Sequence, residues 1–367
     1  MRRRRFLKGA GLLGLGGIAA AIGGIAWGRS RNPYYDGPAS DHFDGLQFFN
    51  PGGEAPKGFV DLIKWQLNGE RKNWPNSYPS PHSDTPPERV EGDELRVSFV
   101  GHATMLVQMA GLNLLTDPVW SERVSPVTWA GPKRANAPGI DFDDLPPIDL
   151  VLLSHNHYDH LDVATLSRLA AAHDPLVLTP LGNDTIVKNH DERIRVVAHD
   201  WGDVVDVPLK NGGTAKVTLV PAHHWSARGT TDRRNALWCA FVLDHPAGKL
   251  YHVGDTGWFG GRNHETIGNA HGPFRLALQP FGAYEPRDFM RAQHQNPDEA
   301  VRAHAVSRSV HTLGHHWGTF QLTDEHIEDQ IADLDAALAQ HGVSKDAFRR
   351  LMPGQYWDVP PLPSDAA

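Results

Sequence analysis

Apolar runs and strict alternation mark a series of short strands. Leu95 to Val100, Thr104 to Met109 and Leu112 to Thr116 are separated by Gly101-His102 and Ala110-Gly111, a spacing that predicts a meander. After Pro146-Pro147 the pattern becomes strand, helix, strand. Ile148 to Leu153 is continuously apolar, Val163 to Ala172 carries apolar positions at helical spacing, and Leu176 to Leu178 is apolar again. Further strands are predicted over Ile194 to Ala198, Lys216 to Val220, Leu237 to Leu243, Lys249 to Val253 and Val310 to Leu313. One short helix is predicted around Val60 to Leu67. Asn296 can cap another that starts at Pro297, with Asp298 and Glu299 in the first turn, where negative charge suits the helix dipole. A last helix is predicted from a Thr323 cap to a Gly342 stop, with Ile327, Ile331, Leu334 and Leu338 on one face. Strands interleaved with helices without regular alternation argue for an α/β fold of two sheets with helices outside them.

Three stretches divide the chain: residues 1–28, 29–90 and 91–367. In the first, Arg3-Arg4-Arg5-Phe6-Leu7-Lys8 precedes the uncharged run Gly9 to Trp27 and resembles a twin-arginine export signal. The run also approaches the roughly 20 residues that span a bilayer, so a membrane anchor is the other reading. Either one puts the folded domain outside the cytoplasm, periplasmic or anchored in the inner membrane. Residues 29–90 form an arm rich in Pro, Gly, Asn and Ser, yet it carries Tyr34, Tyr35, Phe43, Phe48, Phe49, Trp65 and Trp74. Free linkers hold few aromatics, so this arm is expected to pack on the domain over residues 91–367.

Composition narrows the partners. The net charge is -8 despite the basic leader, which argues against nucleic acid. Cys239 is the one cysteine, so no intramolecular disulfide forms. Histidine is abundant at 22 residues, and its placement carries the chemistry. Four apolar strands each deliver His or Asp side chains into the loop that follows. Ile148 to Leu153 delivers His155, His157, Asp159 and His160; Lys216 to Val220 delivers His223 and His224; Lys249 to Val253 delivers Asp255; Val310 to Leu313 delivers His315 and His316. One imidazole from each doublet with the rest makes a donor set sufficient for two borderline-soft ions, each with an open position. Which member of each doublet takes part stays open at this level.

The motif His155-x-His157-x-Asp159-His160 resembles that of the metallo-β-lactamase superfamily. Gly101-His102-Ala103-Thr104, Leu115-Thr116-Asp117-Pro118, Gly131-Pro132-Lys133-Arg134, Gly254-Asp255-Thr256-Gly257, Gly282-Ala283-Tyr284-Glu285-Pro286-Arg287, Gln293-His294 and His316-Trp317-Gly318-Thr319-Phe320 extend the likeness to its N-acyl-phosphatidylethanolamine-hydrolysing phospholipase D branch. The resemblance implies the αββα sandwich fold and two zinc ions. One is held by His155, His157 and His224, the other by Asp159, His160 and His316, with Asp255 bridging. It implies a phosphodiesterase that uses a metal-activated hydroxide to release N-acylethanolamine and phosphatidic acid. Asp159, Asp255 and His294 are then the catalytic candidates, and Tyr158, Gln293 and His294 the substrate-binding ones. For Tyr158 the equal alternative is a ring packed over the site, and His102 is either a hydrogen-bond partner of a ligand or a turn residue. Lys133 and Arg134 offer cations suited to a phosphate. The expected partner is a phospholipid or membrane surface, and the resemblance implies a homodimer that no periodicity here demonstrates. A zinc lactonase or amidase on the same scaffold is the alternative, and a non-catalytic metal carrier the third reading.

Overall fold

The computed structural model describes residues 31–363, so the expected leader lies outside the described residues. The arm contributes one helix, α1 (Phe59–Asn68). A first seven-stranded sheet follows from β1 (Leu95–Gly101), β2 (Thr104–Met109), β3 (Leu112–Thr116), β4 (Leu150–Leu152), β5 (Leu176–Pro180) and β6 (Val196–His199), with α2 (Val163–Ala172) and α3 (Asn183–His190) between its later strands. The second sheet takes β7 (Val204–Pro208), β8 (Thr214–Val220), β9 (Ala240–Asp244), β10 (Leu250–His252), β11 (Phe274–Pro280), β12 (Ser309–His315) and β13 (Phe348–Arg350). Helices α4 (Arg262–His271), α5 (Arg287–Met290), α6 (Pro297–Val306) and α7 (Ile327–His341) lie among them in sequence, and β14 (Tyr356–Asp358) returns to pair with β1.

Two sheets with helices outside them match the expected α/β sandwich. Alternation explains the core. Leu150 and Leu152 of β4 join Val97, Phe99, Phe241, Leu276, Leu278 and Leu313 between the sheets, while Val151 packs outward with Leu166 and Leu169 of α2. A strand buried on both faces therefore reads as an unbroken apolar run. The outward face of the second sheet packs Val242, Tyr251 and Ala277 against Phe43 and Phe48 of the arm. Each of those buried rings contributes roughly 1.5–3 kcal/mol relative to exposure.

Several boundaries move. The last helix starts at Ile327 behind a His326 cap, not at Thr323. Thr323, Asp324 and Glu325 turn inward instead: Asp324 accepts from the Trp65 indole at 2.8 Å, and Glu325 accepts from the backbone of Ala283 and Glu285. The strand expected from Leu237 begins at Ala240, since the Leu237 amide is given to Leu181. The fully buried strand β11 goes unmarked by pattern, because Arg275 interrupts it. That guanidinium is 3 % exposed and donates to the carbonyls of Asp93, Ala247, Val359 and Pro360, which makes its burial tolerable.

The arm is fastened by His42, whose Nε2 meets Asp200 at 2.7 Å and whose Nδ1 meets Asp41 at 2.6 Å. Burial alone would lower this imidazole's pKa, but the two carboxylates raise it above the ordinary value. A raised folded-state pKa stabilises below the unfolded value, and that stability is lost as pH rises through the folded value. The thermal midpoint gap between wild type and His42→Gln is therefore expected to be widest at mildly acidic pH and to shrink on going alkaline. A gap independent of pH would show that the imidazole is neutral in this contact.

Candidate metal centre

The centre forms where strands of both sheets end on the same side. The loop after β4 is held at its far end by Asp162, which caps α2 through the amides of Ala164 and Thr165. Arg228 clamps it from above, donating to the carbonyls of Asn156 and Leu161. The loop after β10 passes Ser154 so closely that a Cβ on Gly254 would lie 2.7 Å from the serine Cβ, and Gly254 has φ +63°. Only glycine suits both demands. His102, Asp117 and His316 have φ of 57°, 35° and 62°, left-handed conformations that cost non-glycine residues about 1–3 kcal/mol each and cluster at functional sites.

Two groups of side chains converge. His157 Nδ1 lies 2.9 Å from His155 Nε2 and 3.2 Å from His224 Nε2. Asp159 Oδ2 lies 3.3 Å from His316 Nε2 and 3.5 Å from His160 Nε2. Asp255 stands between the groups, its Oδ2 at 3.1 Å from His316, 3.2 Å from His160, 3.8 Å from His224 and 3.9 Å from His155. Donors bound tetrahedrally at about 2.0–2.1 Å from one ion sit about 3.3 Å apart, which these separations approach. Among the described residues, the sets of three or more such donors within 4.8 Å of one another all fall here, and they also admit His102 and His294.

The donor set fits bound metal on an independent ground. Both Asp255 oxygens, His160 Nε2 and His316 Nε2 are buried without hydrogen-bond partners. A bare carboxylate that is 2 % exposed is costly unless cations face it. Burial alone would raise the Asp255 pKa, yet His316 and His160 hold it well below the usual range. Burial would lower His316, but Asp255 and Asp159 raise it to about 9. Burial leaves His157 at about 3 and His224 at about 4, so their nitrogens carry free lone pairs. Burial would lower His160 too, but Asp255, Asp159 and Asp117 raise it well above its ordinary value, so a divalent ion held here would displace protons from His160 and His316.

A further layer orients these groups. His160 Nδ1 meets Asp117 Oδ2 at 2.8 Å, His224 Nδ1 donates to the Gln293 carbonyl at 2.8 Å, and His155 Nδ1 meets Ser154 Oγ at 2.9 Å. His102 is a partner as well as a turn residue, with Nε2 2.8 Å from Asp159 Oδ2. Such contacts set tautomer and ring direction.

Of the residues expected from sequence, His155, His157, Asp159, His160, His224, Asp255 and His316 come together. His294 joins them, its Nδ1 3.9 Å from Asp255 Oδ2. Burial outweighs the pull of Asp255 and keeps this imidazole neutral. Gln293 reaches the site through its carbonyl, and its side-chain oxygen is buried without a partner. The Tyr158 hydroxyl gives its proton to the Arg228 carbonyl at 3.0 Å, and its ring lies 3.8 Å beneath that guanidinium. That leaves a phenol lone pair, not the proton, for any other partner. His223 turns away to the Ala292 carbonyl, and His315 faces the core beside His252 at 5.9 Å between ring centroids. Arg134 is spent on the carbonyls of Val119 and Ser121, and Lys133 pairs with Glu122 at the surface. The roles of Asp117 and Arg228 escape sequence reading. Asp117 had a signal, since it also follows an apolar strand.

Comparisons with known proteins give the family and the fold. The profile of a Beta-lactamase superfamily domain matches residues 112–317. The chain is 33% identical over 331 residues to N-acyl-phosphatidylethanolamine-hydrolyzing phospholipase D 1 of Caenorhabditis elegans, covering 86% of this chain and 92% of the relative. A metal-dependent hydrolase of Pyrobaculum neutrophilum is 27% identical over 249 residues, covering 66% of this chain and 92% of its own. Among solved structures, the metallo hydrolase Igni18 of Ignicoccus hospitalis superposes with a TM-score of 0.51 at 18% identity, covering 72% of this chain and 97% of that one, and so shares the fold. A metal-dependent hydrolase, the chain belongs to the metallo-β-lactamase superfamily, in the branch of the N-acyl-phosphatidylethanolamine-hydrolysing phospholipases D.

Proposed function

We propose that this hydrolase is a dinuclear zinc phosphodiesterase that cleaves N-acyl-phosphatidylethanolamine-type lipids into N-acylethanolamine and phosphatidic acid. The observation that carries the reading is the pair of three-residue donor groups sharing Asp255. His155, His157 and His224 would hold one ion, and Asp159, His160 and His316 the other. Imidazole with carboxylate suits borderline ions such as zinc. When bound, the ions supply Lewis acidity toward the phosphodiester oxygens and lower the pKa of a water molecule toward about 7.

The chain's own residues do the rest. His102 holds Asp159, leaving the other carboxylate oxygen to orient the attacking water. His294 is neutral and 8 % exposed, so its ring can donate one N–H to the leaving ethanolamine oxygen. The neighbouring Gln293, whose side-chain oxygen is buried without a partner, would take the head group. Exposed Val60, Ile63 and Leu67 share one face of α1, which docks through Trp65 on Phe289 and Asp324, next to the segments that carry His294 and His316. This apolar face supports a lipid surface as partner. No described helix is long and apolar enough to cross a membrane. The leader supports export, which would set the site on the outer side of the inner membrane.

The test is a side-by-side assay of the zinc-loaded protein on N-acylated phosphatidylethanolamine, plain phosphatidylethanolamine, lactones and amides, with metal counted by mass spectrometry. Release of N-acylethanolamine with about two zinc per chain is expected. Lactone or amide turnover without phosphodiester cleavage would overturn the substrate, and many exchangeable ions without turnover would indicate a carrier.

A further inference from the structure

The segment bearing His224 has left the sheet: β8 ends at Val220, four residues earlier. The Trp238 indole holds its start through the Ala222 carbonyl at 3.1 Å, and the His223-His224 doublet itself is held from three other places in the chain. The loop after β10 takes the His223 amide on Thr256 Oγ1 at 3.0 Å and gives the Gly257 amide to the His223 carbonyl at 2.8 Å. The loop after α5 offers the Ala292 carbonyl to His223 Nδ1 at 2.6 Å and the Gln293 carbonyl to His224 Nδ1. The third is the N-terminal arm. Asn50 Nδ2 donates to the His224 carbonyl at 2.8 Å, while Asn50 Oδ1 accepts from the Trp238 indole at 3.0 Å.

Those two contacts have opposite polarity, so the Asn50 amide has one satisfactory orientation. Flipped, it would set N–H against N–H and oxygen against oxygen. Trp238 is 1 % exposed and supplies a rigid anchor. Three residues on, Gly53 lies against the other side of the doublet, where an added Cβ would sit 2.1 Å from His223 Nε2. Its φ is outside the left-handed region, so an alanine there would be opposed by contact with His223 and with the Asn50 Cβ at 2.9 Å, and not by its own backbone. Both residues lie outside the 112–317 span that defines the superfamily domain.

We infer that the N-terminal arm completes the metal centre, with Asn50 as a positioning residue that sets His224 through its carbonyl and Gly53 as the bare backbone that leaves room for the His223 ring on its turned-away side. This rests on the reading of His224 as a metal ligand. Partners that orient ligands in this way typically change metal affinity by about 10–100-fold when removed.

The test uses the full zinc-loaded protein and follows zinc release to excess EDTA. Asn50→Asp keeps the acceptor for Trp238 and turns an oxygen toward the His224 carbonyl. Gly53→Ala presses on His223 and, at 2.9 Å, on the Asn50 Cβ, so it disturbs the doublet from the arm by a second route. Each is expected to speed release of one zinc by about tenfold or more. Trp238 fluorescence of Asn50→Asp should stay near wild type, and its metal-free thermal midpoint should fall only modestly, by the lost hydrogen bond to His224. A lowered metal-free midpoint with unchanged release would overturn the inference, since it describes a contact that only supports the fold. His224→Ala separates the two readings. If it loses one zinc while both arm variants release at the wild-type rate, the arm inference alone fails. If it keeps both ions at the wild-type rate, the ligand assignment fails and takes this inference with it.

Discussion

Asp255→Asn protein is expected to lose hydrolysis by on the order of 10³-fold or more, comparable to or greater than removal of a principal transition-state stabiliser. The cause is its place between the two donor groups. One oxygen lies 3.1–3.9 Å from the Nε2 of His316, His160, His224 and His155, and neither oxygen has a hydrogen-bond partner. An amide retains the shape but removes the charge, and turns a donor N–H toward lone pairs or cations. Steady-state rates together with metal content by mass spectrometry check this. Metal content should fall with the rate, and a variant that keeps both metals and more than a tenth of the activity would show that Asp255 does not join the groups.

Asp117→Asn is expected to cost about 3–5 kcal/mol of stability, the range for breaking a buried charge pair from one side. It should also weaken metal binding about 10–100-fold. Asp117 is fully buried, accepts from the Ser154 amide and hydroxyl at 2.7 Å each, and meets His160 Nδ1 at 2.8 Å. Burial alone would raise its pKa, but His160 and His252 hold it far below the usual carboxylate range. Denaturant unfolding of the metal-free protein reads the first effect, and chelator competition on the folded, reloaded protein reads the second. Loss of stability with unaltered metal affinity would make Asp117 an anchor for the strand end alone, without influence on the His160 ring.

Pattern and structure part company at identifiable places. Continuous apolar runs found β4, and alternation found β1 to β3, because burial of one or both faces leaves a local trace. The cap at Asn296 was equally legible: its side chain accepts from Glu299, which reaches back to the Asn296 amide. β11 was hidden because Arg275 pays its burial with carbonyls distant in sequence. Thr323 looked like a cap because capping chemistry is local, while the inward turn of Asp324 and Glu325 depends on Trp65, Ala283 and Glu285.

The order and type of the ligands stand in the sequence itself, since a His or Asp after an apolar strand needs only local pattern to be seen. Which neighbour in His223-His224 and His315-His316 faces the centre was decided by the tertiary structure. Beyond a strand end no two-residue period remains, and the direction of each ring is set by whichever distant group holds it: the Ala292 carbonyl for His223, the Gln293 carbonyl for His224 and the intersheet core for His315. The same holds for the left-handed backbones of His102, Asp117 and His316 and for the reach of Asn50 to His224. These exist only once two sheets and an arm have packed, because each trades a local cost or an unpaired polar group for a contact tens to hundreds of residues away.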